Sequence, residues 1–305
     1  MRFATRSPSF ADLGLLIMGL LIGDATTRPA RALKWLDDRF GRGSYYVLRD
    51  WIDPTREYTQ LTYGRLLRAL ANGRTSWLDA GCGHQILELR SSAEEREAVG
   101  AARFAAGCDL ELSALRAHRT LANRVCCDLA AMPFRDRSFQ LVSLNNVAEH
   151  FADPAPVFRE IARVLDLEGR LVIHTPNAAG YFVRIARLAR RILPRRLVLS
   201  LISYMEGRGD DDVFLTYYRA NTRAALECLA DEAGMAFERL DLLRGRPLFY
   251  FVVPISTLEL IATRALVWSG LEGIGCNAII GVLRRGRRAG RRPEDATRDA
   301  AGDSG

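Results

Sequence analysis

The sequence predicts an α/β fold: a seven-stranded, mostly parallel sheet with helices on both faces, plus helical or apolar inserts. Three observations carry this reading. Short apolar runs alternate with stretches of helical periodicity, the pattern of a parallel sheet covered on both sides. Several of these runs stop on an acid or an amide, namely Asp79, Asp109, Asp128 and Asn145. The first run is followed by Gly81 and Gly83. Strand, glycine turn and helix is the layout that opens a nucleotide-binding crevice at the edge of an α/β sheet.

Composition sets the bounds. A chain of 305 residues with 49% hydrophobic and 26% charged residues buries one large core or two modest ones. The net charge is +7 and the pI about 9.3, which points to an anionic partner. Lys34 is the only lysine, so an arginine-rich coding bias explains the same charge. The six cysteines, Cys82, Cys108, Cys126, Cys127, Cys228 and Cys276, show no C-x-x-C spacing. That argues against zinc and for a reducing compartment.

In chain order, residues 1–53 form an N-terminal extension. Its Leu13–Ile22 run, LGLLIMGLLI, is too short to cross a hydrocarbon core of about 30 Å. It reads either as a helix packed on the main domain or as an interfacial anchor. Pro54 is expected to open a helix carrying Tyr58, Leu61, Leu66, Leu67 and Leu70. The main domain covers 54–284. Its strands are expected at Trp77–Asp79, Phe104–Asp109, Val125–Asp128, Phe139–Asn145, Arg170–His174, Phe237–Leu243 and Asn277–Leu283. A helical run is expected to begin at Ile86, and another spans Val157–Leu165. Inserts fall at about 178–220 and 245–275. The first holds a basic amphipathic stretch, Tyr181–Leu193, with Arg184, Arg187, Arg190 and Arg191. Gly207–Asp212 reads as a loop. Asn221 is expected to cap a helix over Thr222–Ala233, with Gly234 ending it. The second insert centres on Leu248–Trp268, strongly apolar but broken by Pro254, Glu259 and Arg264. Residues 285–305, basic and then acidic, read as a disordered tail.

The chain resembles a class I S-adenosylmethionine-dependent methyltransferase, of the type 11/12 kind. Six ordered blocks carry the resemblance: Leu78-Asp79-Ala80-Gly81-Cys82-Gly83, Cys108-Asp109-Leu110, Cys127-Asp128-Leu129 with Met132-Pro133-Phe134, Ser138-Phe139-Gln140-Leu141-Val142, Glu149-His150-Phe151-Ala152-Asp153-Pro154, and Leu167-Glu168-Gly169-Arg170-Leu171-Val172-Ile173. It is specific from about Thr75 to Asn177. The resemblance implies a Rossmann-like sheet and S-adenosyl-L-methionine as cofactor. It implies that Asp79, Gly81, Cys82 and Gly83 shape the cofactor loop. Asp109, with Leu110 beside it, would take the ribose hydroxyls. Asp128 would accept from the adenine amino group, with Leu129 against the ring. Asn145 would face the methionine part and the acceptor. Two positions depart from the family pattern: Gln85 replaces a third glycine, and Gln140 stands where aspartate is common.

Methyl transfer from a sulfonium needs position and exclusion of water more than acid–base chemistry. A base is needed where the acceptor must lose a proton, and His150 suits that role. Glu149-His150 resembles a pair in quinone-type O-methyltransferases; no metal is read here. The acceptor expected is a small-molecule, lipid-linked or sugar-containing one, because the inserts are apolar and arginine-rich. The alternatives are a non-catalytic scaffold that kept the fold and a nucleic-acid methyltransferase. No N-P-P-Y-type motif supports the latter. Cytoplasmic residence is expected, with a peripheral place on an anionic membrane surface.

Overall fold

The computed structural model of the protein describes residues 42–87, 91–193, 215–248, 250 and 253–286. The elements in order are α1 (Arg42–Ile52), α2 (Thr59–Leu70), β1 (Ser76–Ala80), α3 (Ser92–Ala101), β2 (Phe104–Asp109), α4 (Leu112–Ala117), β3 (Asn123–Cys126) and β4 (Phe139–Asn145). A 3-10 turn at Ala148–His150 follows, then α5 (Pro154–Val164), β5 (Leu165–Pro176), α6 (Tyr181–Ile192), α7 (Arg223–Glu232), β6 (Met235–Leu243), α8 (Val253–Trp268), a short α9 (Glu272–Gly275) and β7 (Ala278–Arg285). The chain forms two compact units. Among the described residues, the larger gathers 57–87, 91–178, 216–243 and 278–286; the other gathers 42–56, 179–193, 215, 244–248, 250 and 253–277.

The larger unit holds the sheet. Strand order is β3-β2-β1-β4-β5-β7-β6, and β1 to β5 pair in parallel. Only β7 runs antiparallel, between β5 and β6. This is the mostly parallel seven-stranded sheet that the apolar runs predict. Side chains of a strand alternate between faces, and both faces are buried. One core joins Leu78, Val142, Leu144, Leu171 and Ile173 to Phe158 and Ile161 of α5 and Leu226 of α7. The other joins Trp77, Leu141, Val172 and Ile280 to Tyr63 and Leu67 of α2.

Several local expectations need correction. Pro54 does not open a helix. Residues 42–52 already form α1, and α2 begins only at Thr59 after a turn. Ile86 and Leu87 lie in irregular chain. The helix after the glycine turn starts at Ser92, where Ser91 and Glu94 form a reciprocal capping box; residues 88–90 lie outside the described ones. Thr222, not Asn221, caps α7, its side chain accepting from Ala225 N. Asn221 is instead buried and donates to Thr175 Oγ1 at 2.6 Å. β3 ends at Cys126, so Asp128 follows the strand rather than closing it. β5 is longer than Arg170–His174 and includes the residues around Gly169. Gly234 has φ +70°, as a helix-ending glycine should. β7 runs on through Arg284 and Arg285. The Leu13–Ile22 run, the Gly207–Asp212 loop and the tail from 287 lie outside the described residues.

The smaller unit is tied together by buried polar contacts. Arg56, 6% exposed, donates through Nε to Gly245 O at 2.5 Å and through Nη1 to Thr263 Oγ1 of α8 at 3.0 Å. Asp53, 1% exposed, takes a 3.0 Å ion pair from Arg244. Arg264 donates to Ile52 O at the end of α1. Tyr181 of α6 donates to Glu259 of α8. Buried charges are found paired because an uncompensated one costs about 3–5 kcal/mol.

Candidate active site

The carboxyl edge of the parallel strands gathers the residues singled out from the sequence. β1 ends at Ala80, and the chain turns sharply over β2: Gly81 N donates to Cys108 O at 2.7 Å and Cys82 N to the same oxygen at 3.1 Å. Gly81 has φ +71° and Gly83 φ +50°, a region other residues resist. A Cβ on Gly81 would also meet Val147 Cγ2 at 2.6 Å, whereas one on Gly83 would meet nothing within 4 Å. The first glycine is thus fixed by packing, and the second leaves its main chain bare toward open space. Cys82 between them is 1% exposed and packs into the core. Gln85 follows the turn, its N–H donating to Cys82 O at 3.3 Å.

Asp109 ends β2 directly beside this turn. Its Oδ2 accepts from Gly83 N at 2.8 Å and its Oδ1 from Glu111 N at 2.9 Å. Two backbone amides therefore fix the orientation of the carboxylate. A carboxylate has about four acceptor sites, so capacity remains for further donors. Leu110 next to it is 69% exposed. Asp128 is exposed, its Oδ1 accepting from Ala130 N at 2.8 Å, while Leu129 is 6% and Met132 4% exposed. Fixed carboxylates beside a bare glycine backbone fit a cofactor that presents ribose hydroxyls and an adenine amine.

Asp79 lies deeper. Trp77 Nε1 donates to Ser143 Oγ at 2.7 Å, and Ser143 donates to Asp79. Burial pushes the Asp79 carboxyl up to about 8, against the hydrogen bond from Ser143. It is therefore protonated near neutral pH. An ammonium group placed against it would favour the ionised form.

Asn145 and His174, both near strand ends on the crevice edge, join a cluster with Gln60, whose part in it is not foreseen from the sequence. Gln60 Nε2 of α2 donates to Asn145 Oδ1 at 3.0 Å, and Asn145 Nδ2 returns a bond to Gln60 Oε1 at 3.2 Å. Asn145 Nδ2 also reaches Ile86 O at 3.2 Å. His174 of β5 pairs with Asn145 in the sheet register, its Nδ1 2.8 Å from Asn145 Oδ1. An amide oxygen only accepts, so the assigned tautomer carries its proton on Nδ1. Glu149 and His150 sit on the 3-10 turn after β4. Glu149 is 6% exposed and accepts from Thr175 Oγ1 at 3.1 Å, while its backbone oxygen takes Tyr217 N at 2.7 Å. His150 is half-buried. Gln140 bridges Ser76 N and Asp166 at the opposite end of β4, a packing role away from this edge. Ser143, Gln60 and Thr175 were missed. Ser143 and Thr175 carried one signal, a polar residue inside an apolar strand.

The family model described as the methyltransferase domain matches residues 78–173. That segment belongs to the class I S-adenosylmethionine-dependent methyltransferases, the family that takes S-adenosylmethionine as cofactor. A demethylmenaquinone methyltransferase of Corynebacterium urealyticum is 31% identical over 147 residues, 45% of this chain and 61% of that protein. An uncharacterised protein of Methanocaldococcus jannaschii is 30% identical over 69 residues, 23% of this chain and 30% of that protein. The chain thus spans less than two thirds of either relative. Among solved structures, an S-adenosylmethionine-dependent methyltransferase from Mesorhizobium loti is 17% identical with a TM-score of 0.47, covering 72% of this chain and 96% of that one.

His174 yields a measurable pH dependence. Its ring is 4% exposed, and burial lowers its pKa from 6.5 to about 4. The unfolded chain binds this proton at the ordinary imidazole value and the folded chain does not. The stability that neutral His174 contributes is therefore full above pH 6.5 and is lost as pH falls toward 4. One proton corresponds to a slope of about 1.4 kcal/mol per pH unit within that window. Denaturant unfolding of His174→Gln across pH 4–6.5 should show a slope shallower by about that amount than wild type. Parallel slopes would mean that the imidazole keeps its ordinary pKa.

Proposed function

We propose that the protein transfers a methyl group from S-adenosylmethionine to a hydroxyl of a small-molecule, lipid-linked or sugar-containing acceptor. The observation that carries this reading is the Asp109 carboxylate, fixed by Gly83 N and Glu111 N at 2.8 and 2.9 Å beside the positive-φ glycine turn. The relative named a demethylmenaquinone methyltransferase supports transferase chemistry, and the apolar, arginine-rich inserts support an acceptor with a hydrophobic portion.

When bound, the cofactor supplies an activated methyl group on a sulfonium. The residues of the chain bind and orient. Asp109 accepts the ribose hydroxyls, and Asp128, with Leu129 against the ring, selects adenine. Gly81 and Gly83 let the main chain approach the amino-acid portion. Asp79 meets its ammonium group. Asn145, held by Gln60 and His174, borders the place where the acceptor is oriented. His150, half-buried just beyond β4, takes the proton of the acceptor hydroxyl, and Glu149 holds the turn that carries it.

Two measurements test this reading. Hydrogen bonds to a charged group are worth about 1.5–3 kcal/mol, so Asp109→Ala should weaken cofactor binding by at least roughly tenfold in calorimetry. Absence of binding by the wild-type protein would leave the scaffold alternative. His150→Ala should reduce turnover by roughly 10²–10⁴ with cofactor affinity nearly unchanged. Full activity in that variant would remove the base role.

A further inference from the structure

The smaller unit carries a helix of reversed polarity. Along α8, the inward side holds Ser256, Leu260 and Thr263, all within 2% of full burial. The polar side chains of the helix are engaged. Thr263 accepts from Arg56 and donates back to Glu259 O at 2.8 Å. Glu259 accepts from Tyr181 and from Leu248 N, and Arg264 donates to Ile52 O. The outward stripe is Pro254, Leu258, Ile261, Ala265 and Trp268, at helical spacing and all exposed. Leu258 is 69% and Trp268 90% exposed. An ordinary surface helix shows the opposite arrangement, apolar inward and polar outward.

The helices of the same unit share this character. On α1, which packs against α8, Val47 and Trp51 stand one turn apart and are 70% and 82% exposed. On α6, Ile185, Leu188 and Ile192 are exposed, and a second exposed row, Arg184, Arg187 and Arg191, adjoins them. An apolar row beside an arginine row is the pattern of a helix lying in the headgroup layer.

We propose that α1, α6 and α8 form a docking face for an anionic bilayer surface. Three features favour lipid over a protein partner. The outward stripe of α8 offers no hydrogen-bonding side chain except the Trp268 indole, and the exposed Arg264 beside it is committed to Ile52 O, whereas protein interfaces carry about one hydrogen bond per 100–200 Å². Trp51 and Trp268 are of the residue type that concentrates at the membrane–water boundary. The arginine row complements anionic headgroups. The face lies on the bilayer rather than crossing it. α8 has 16 residues, about 24 Å, against a hydrocarbon core of about 30 Å. Among the described residues no helix is long and apolar enough to cross a membrane. This inference stands apart from the methyl-transfer reading, and its test needs no cofactor.

The test is co-sedimentation of the full-length protein with vesicles of phosphatidylglycerol and phosphatidylcholine, against phosphatidylcholine alone. The wild-type protein should pellet with the anionic vesicles at low salt and be released as salt rises, because exposed charges are screened beyond about 8–10 Å near physiological ionic strength. Leu258→Glu combined with Ile261→Glu, on residues that already face outward, should weaken binding by at least roughly tenfold with the circular dichroism spectrum unchanged. Arg184→Glu with Arg191→Glu should weaken binding to anionic vesicles and flatten the salt dependence. Three results would overturn the proposal. One is no wild-type binding at low salt. Another is equal binding by the Leu258/Ile261 variant. The third is a concentration-dependent dimer, seen by sedimentation velocity, that this variant dissolves while vesicles are ignored.

Discussion

The bond from Gly83 N to Asp109 Oδ2, 2.8 Å long, is the interaction on which the rest of the site depends. It exists only because the chain leaves β1 with positive φ at Gly81 and Gly83. That turn carries two successive amides onto Cys108 O and brings a third to the end of β2. The parallel pairing of β1 with β2, Ala80 opposite Cys108, sets the distance. Sheet register, turn conformation and carboxylate orientation are therefore one constraint. A side chain at Gly81 would strike Val147 and disturb all three together.

Behind this edge the sheet hides polar groups that an apolar core alone would not need. Trp77, Ser143 and Asp79 form a donor chain through the interior. Gln60, Asn145 and His174 form a second cluster of amides and imidazole. Burial keeps Asp79 protonated and His174 neutral near pH 7. Groups held in their uncharged forms at a crevice are poised to respond to a charged ligand. They also give the site a rigid frame, because each amide position is fixed by more than one partner.

Much of the sheet was legible in the sequence because buried parallel strands are written as local apolar runs. The acids at 79 and 109 stood out for the same reason, as polar residues where an apolar run stops. Helix starts were harder to read. Pro54 fits a first turn, yet the chain uses it between α1 and α2. Ile86 and Leu87 look helical but are buried in irregular chain, and α3 waits for the Ser91 capping box. Gln60 joins Asn145 from 85 positions away, and Thr175 meets Glu149 across 26. Such pairs depend on the topology, which a local pattern does not encode. The reversed polarity of α8 was hidden too. Leu248–Trp268 reads as an apolar stretch broken by Pro254, Glu259 and Arg264, and the sequence does not show that Arg56, Tyr181 and Ile52 O engage its polar side chains.

The two units divide the chemistry of the chain. The sheet unit holds the carboxylates and the glycine turn, and the smaller unit holds the exposed apolar and arginine surfaces. The central claim is that the glycine turn and Asp109 together receive a nucleoside cofactor. A crystal structure of the wild-type protein with S-adenosylhomocysteine tests it most directly. The account predicts both ribose hydroxyls within hydrogen-bonding distance of the Asp109 carboxylate and the amino-acid portion over Gly81 and Gly83. Nucleoside bound elsewhere on the chain, with the Asp109 carboxylate touching only Gly83 N and Glu111 N, would contradict it.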